Sequence, residues 1–201
     1  MPFTKNAVEM FISERITQVT ACNAADLYLD FPDAKNWLSK FGLSVVFNNQ
    51  PPEHIRPFAL HFVRRIDMAI AEYALAREAL QNLVSGSRGR WSPYFHALNH
   101  FETALAQIYQ ALDSLAELRK KDLGLAKKDL FKSNDGSVED RLNKIYNTSK
   151  HELTQDEQLV WITNAGIETA AEIISFQEIE ELLRTFAKVA TKLSSPTSTT
   201  D

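Results

Sequence analysis

Two stretches, Glu53 to Val84 and Pro93 to Leu118, contain no glycine, and their only prolines, Pro57 and Pro93, stand near their starts. In the first, Ile55, Phe58, Phe62, Ile66, Ala69, Tyr73, Ala76, Leu80 and Leu83 keep one apolar seam for about eight helical turns. In the second, Leu98, Phe101, Leu105, Ile108, Leu112 and Leu115 step by alternating threes and fours, the seven-residue period of helices packed side by side. Helices this long need a partner along their whole length to cover the seam. Only Ser85-Gly86-Ser87-Arg88-Gly89-Arg90 and a Ser92-Pro93 start signal separate them, so the pair is expected to be antiparallel. The fold class that follows is all-α, an antiparallel helical bundle.

The rest of the chain reads as additions to this pair. Thr4 to Val19 carries Val8, Phe11, Ile12 and Ile16 at helical spacing and predicts an N-terminal helix. Residues 21–50 are irregular, with Tyr28, Phe31, Trp37, Phe41 and Phe47 expected to plug the side or end of the bundle. Asn134-Asp135-Gly136 is a turn, and Ser137 with Asp140 is a capping-box-like start for a further helix. Leu159 to Thr163 is β-prone and ends at Asn164-Ala165-Gly166, which predicts a small hairpin with Ile173-Ile174. Ser175 with Glu178 repeats the capping signal before a last helix on Phe176, Ile179, Leu182, Leu183, Phe186, Val189 and Ala190. Four main helices and an N-terminal one make a single domain, 1–193, with 1–52 as helix and connector and 53–193 as bundle core. The Ser/Thr/Pro tail, 194–201, is expected to be disordered. At 201 residues and 44% hydrophobic content the chain suffices for one well-buried core and is short for two.

A net charge of −4 argues against a protein that coats nucleic acid along its whole surface. The charge is unevenly spread, however. Residues 119–151 hold nine Lys or Arg against five Asp or Glu, so this segment carries +4 and leaves −8 for the rest, which keeps a local basic face open. One cysteine, Cys22, excludes an intramolecular disulfide and any cysteine-based metal site, and no cofactor is expected. No segment has a secretory pattern or the apolar length of a membrane span, so the expectation is a soluble, cytoplasmic protein.

His96 and His100 have metal-ligand spacing, but no HExxH motif or cysteine pair completes a site, and helical geometry points Glu102 away from His100. They read as flank histidines before they read as part of a groove with Glu102. The glycine loop at 86–90 lacks phosphate-cradle spacing, and no GxSxG or Cys-His arrangement suggests acyl transfer. The richest polar cluster is Tyr146-Asn147-Thr148-Ser149-Lys150-His151, preceded by Arg141 and Lys144. A histidine titrating near neutrality serves as general acid or base, an asparagine orients a phosphate or ribose hydroxyl, and a lysine offsets charge on phosphorus. The same residues also make an ordinary solvated helix face, with basic groups at the helix's negative pole.

At these residues the chain resembles the HEPN superfamily, helical bundles of nucleotide-binding and RNase proteins common in prokaryotic toxin–antitoxin and defence systems. The resemblance rests on a polar-x-x-x-His segment, Asn147 to His151, late in an antiparallel bundle, and spans roughly Glu53 to Lys192. It implies RNA or nucleotide binding, metal-independent RNA cleavage with His151 as acid/base and Asn147 orienting the phosphate, and a homodimer with the motifs facing each other. Lys144, Lys150, Tyr146 and Arg141 would then be binding residues. The family pattern places an arginine immediately before the polar residue, where this chain has Tyr146, so no arginine role carries over. The other reading is a non-catalytic dimeric protein–protein interaction module in which this helix is structural.

Overall fold

The computed structural model describes residues 16–86, 91–123, 134–151 and 160–195, the side chains of 149–151 excepted. A short helix α1 (Leu27–Asp30) and a 3-10 turn (Ala34–Asn36) lead into α2 (Trp37–Asn48). The two long helices follow, α3 (Arg56–Ser85) and α4 (Trp91–Leu123), then α5 (Val138–His151). Strands β1 (Trp161–Ile162), β2 (Gly166–Glu168) and β3 (Ile173–Ser175) precede the last helix, α6 (Phe176–Ser194). The expected N-terminal helix lies outside the described residues up to position 15, as do 87–90 of the interhelix loop and the tail from 196.

α3 and α4 form the most extensive contact in the molecule, and their cross-links fix its direction. His61 meets Ser114, Arg65 meets Gln107, Glu72 meets His100, and Tyr73 meets Phe101, so one helix descends as the other climbs. The pair is antiparallel. The expected seam is its buried face: Phe62, Ile66, Ala69, Tyr73, Ala76 and Leu80 on α3 and Phe101, Leu105, Ile108 and Leu112 on α4 all lie in one core. α6 covers that face from above. Phe186 packs edge-on against Phe62 at 5.7 Å, the Phe176 ring lies tilted against Phe101 at 5.2 Å, and Tyr73 reaches Glu180, so α6 runs against α3 and with α4. α5 lies on the outer side of α4, buries Leu142 and Ile145, and stacks Tyr146 on Tyr109 at 4.6 Å.

Several local expectations change. α4 starts at Trp91, so Ser92 and Pro93 sit in its first turn and Ser92 does not precede it. The sheet is a three-stranded antiparallel meander in the order β1-β2-β3. Ile174 pairs with Ile167 of β2 and not directly with the first strand. Gly166, which reads as a turn residue, opens β2 at a point where an added Cβ would lie 2.1 Å from the Ile174 carbonyl oxygen. In the connector, Trp37 and Phe41 are buried as expected, but Phe47 is 76% exposed and Tyr28 46% exposed.

The 20–30 segment is held by polar ties. Asn164 Oδ1 accepts from the backbone N–H groups of Thr20 (2.8 Å) and Ala21 (3.1 Å). Glu180, buried in α6, accepts from the Tyr73 hydroxyl (2.7 Å) and the Ala25 N–H (2.8 Å). Burial first, and then this bond to Glu180, push the Tyr73 hydroxyl pKa far up, so it stays protonated and donating. Cys22 is half-buried beside the Arg77 carbonyl, and burial raises its thiol pKa.

Candidate functional site

The start of α5 carries the first surprise of the polar cluster. Ser137 caps the helix, its hydroxyl accepting from the Asp140 N–H at 3.2 Å. The reciprocal arm differs from a capping box. The Asp140 carboxylate accepts from the N–H groups of Asn134 (2.9 Å) and Gly136 (3.4 Å), while Asp135 Oδ1 takes the Ser137 N–H at 2.9 Å. Asp140 is therefore buried. The Asn134 N–H, followed by Lys144, holds its carboxyl below the usual range.

One and two turns on, the cations of the cluster are engaged. Arg141 forms an ion pair with both carboxylate oxygens of Glu178 and donates to the Ile173 carbonyl at 2.6 Å, which ties α5 to β3 and to the capping box of α6. Glu178 is the acceptor of that box as well, and Arg141 above all holds its pKa down to about 2. Lys144 lies 2.8 Å from Glu172 and 3.0 Å from Asp140; its pKa is raised first by Glu172 and then by Asp140. Asn147 is exposed and donates to Asn143 Oδ1 at 3.1 Å. The Tyr146 ring is taken up by the Tyr109 stack. The helix continues through His151, so Asn147 and His151 are one turn apart in sequence register, but the side chains of Lys150 and His151 lie outside the described residues.

The α3/α4 flank holds a second polar array that periodicity did not single out. Arg65 Nε donates to His61 Nε2 at 3.1 Å, so that nitrogen carries the lone pair and the ring proton is on Nδ1. Nδ1 in turn donates to Ser114 Oγ at 2.6 Å, and the serine hydroxyl donates its own hydrogen bond to the Gln110 carbonyl. Burial first, then Arg65 and Arg64, lower the His61 pKa, which favours the neutral ring. This is the reverse of a nucleophile-activating dyad, because the serine accepts a hydrogen bond from the ring where activation requires it to donate one. The signal for the array is a seven-residue spacing of His100, Gln107 and Ser114 on the α4 flank. His100 pairs with Glu72 at 2.7 Å rather than with Glu102, and His96 is exposed beside Ser92.

Among the described residues no three His, Cys, Asp or Glu side chains gather as a metal set, and no helix is long and apolar enough to cross a membrane. Next to the α5 cross-ties, α4, α5 and α6 enclose a cleft of about 390 Å³ with Leu112, Leu115, Leu182 and Phe186 among its lining. The chain matches no family model, no curated protein and no solved structure.

Proposed function

We propose that this protein is a non-catalytic protein–protein interaction module built on a HEPN-like helical bundle. One observation carries the reading: Arg141 and Lys144, the two described cations of the α5 cluster, are spent on Glu178, Glu172 and Asp140. A phosphate arriving there would have to displace carboxylates already in contact, and each displaced carboxylate would then repel it. Stabilising charge on a phosphorane also needs a free donor, and losing one typically costs about 100- to 1,000-fold in rate. Tyr146 supplies no charge in place of the family's arginine.

A second reading has its own support. Because α5 stays helical to its last residue, Asn147 and His151 keep the one-turn spacing that RNA or nucleotide binding, or weak metal-independent cleavage, would use. A single assay separates the two: purified protein with total RNA in EDTA, comparing wild type, His151→Ala and a Lys144→Ala/Lys150→Ala double variant. The interaction-module reading expects neither cleavage nor saturable binding. EDTA-resistant cleavage lost in His151→Ala would establish the second reading and remove the first, and RNA binding lost only in the double variant would keep the surface without the catalysis.

A further inference from the structure

The cleft between α4, α5 and α6 has a length and a charge order that suit one kind of occupant. Its α6 wall runs from Glu178 to Val189, three turns or about 16 Å of helix, over a floor made apolar by Leu112, Leu182 and Phe186. Because α4 and α6 point the same way, its ends differ. Glu178 and Glu181 come from the end of α6 next to the sheet and Arg119 from the last turns of α4, with Glu139 on the α5 wall. Arg141 neutralises Glu178, whereas Glu181 and the half-buried Glu139 pair with no cation, and Arg119 with no anion, among the described residues.

We infer that this cleft docks a helical segment of a partner protein, with apolar side chains at i, i+4 and i+7 on the floor, a Lys or Arg over Glu181, and a Glu or Asp over Arg119. The inference rests on the interaction-module reading and names the surface it uses. A trough three turns long with opposite charges at its ends fits an amphipathic helix laid in a groove. Carboxylates at the mouth that no described cation offsets disfavour a nucleic-acid backbone.

The test titrates the full chain into fluorescein-labelled synthetic helical peptides of about sixteen residues, long enough to span the trough. One carries Leu at i, i+4 and i+7 with Lys at one end and Glu at the other; a second replaces that Lys with Glu. Saturable binding of the first peptide, with amide shifts at Leu115, Glu181 and Thr185, is expected. Glu181→Lys should weaken it about tenfold and prefer the second peptide, as a swapped charge pair requires. Thr185→Arg, an exposed change at the mouth, should block both peptides while the circular dichroism stays that of wild type. Absence of binding, equal binding to all variants, or shifts elsewhere on the surface overturns the inference. So does entry of an apolar dye into the cleft without peptide binding, which would make it a small-molecule site. These outcomes are independent of the RNA assay: failure here removes the surface, and RNA cleavage or saturable RNA binding removes the reading beneath it.

Discussion

The α3–α4 pair and the α5–sheet layer are held by different forces. Between the long helices the contact is a continuous apolar stripe, with polar groups such as His61, Arg65 and Glu72 confined to the flank. Among the described residues of α5 the only deeply buried apolar side chains are Leu142 and Ile145, and the layer is laced by Arg141 and Lys144 to Ile173, Glu178 and Glu172, with Asp140 tying the turn before the helix. Burial of an apolar stripe scales with area and involves no group that titrates or is screened by counterions. Ion pairs that are a fifth to a third exposed are directional, screened by salt and sensitive to acid. The bundle thus has a constitutive half and a condition-dependent half.

The largest expected effect tests the constitutive half. Leu105 is 2% exposed in the seam, and Leu105→Asp puts an unpaired charge there at a cost of about 3–5 kcal/mol. Urea unfolding measures it; a wild-type midpoint would mean that the seam is not what joins the helices. The next concerns the sheet, where Gly166→Ala forces a methyl group into the backbone of β3, 2.1 Å from Ile174 O and 2.7 Å from the Ser175 Cα. Neither neighbour is a side chain that can swing aside, so a loss of about 2–3 kcal/mol is expected by thermal melting, as for an overpacked core.

How far the two halves were legible in the sequence follows the same division. The seams of α3, α4 and α6 repeat a period, and a period survives whatever lies opposite; hence Phe62 to Leu80 and Leu98 to Leu112 could be placed without a structure. Asp140 and Gly166 could not. Asp140 is buried because the preceding turn aims two N–H groups at it, and Gly166 is needed because β3 passes close by. Both facts concern partners that no local pattern names. The α5 cluster shows the limit for function. Arg141 and Lys144 spaced for a phosphate are equally spaced for Glu178 and Glu172, and the choice depends on where residues 28 to 37 positions further on are folded. Glu180, inside an otherwise apolar α6 face, carries no local signal for the same reason: its partners, Tyr73 and Ala25, lie more than a hundred residues away.

The smallest expected effect sharpens the condition-dependent half. Arg141→Met removes a partly exposed ion pair and leaves the Ile173 carbonyl without this donor, for about 1–2 kcal/mol at neutral pH. Its pH dependence is the more telling readout. Glu178 has a folded pKa of about 2 against an ordinary 4.5, so its contribution is complete above about pH 4.5 and is lost as the pH falls towards 2. Wild type should therefore lose stability across that window, and Arg141→Met should lose less, with the two curves converging at the acid end. Parallel curves in denaturant titrations from pH 7 to 2 would show that the pair does not hold α5.

The Asn164 clasp also sets a timetable. Thr20, Ala21 and Asn23 are fixed by a residue 141 to 144 positions downstream, and Ala25 by one 155 positions downstream. On a ribosome adding about 5–20 residues per second, more than 140 further residues take on the order of ten seconds. The α3–α4 hairpin, whose partners are near in sequence, can close well within that interval. The first described segment to be synthesised is therefore among the last to find its place, and until Asn164 and Glu180 emerge, Tyr73 on α3 has no carboxylate to receive its hydroxyl. During synthesis the hairpin waits with its α6 side open, which is when a chaperone would have a surface to hold.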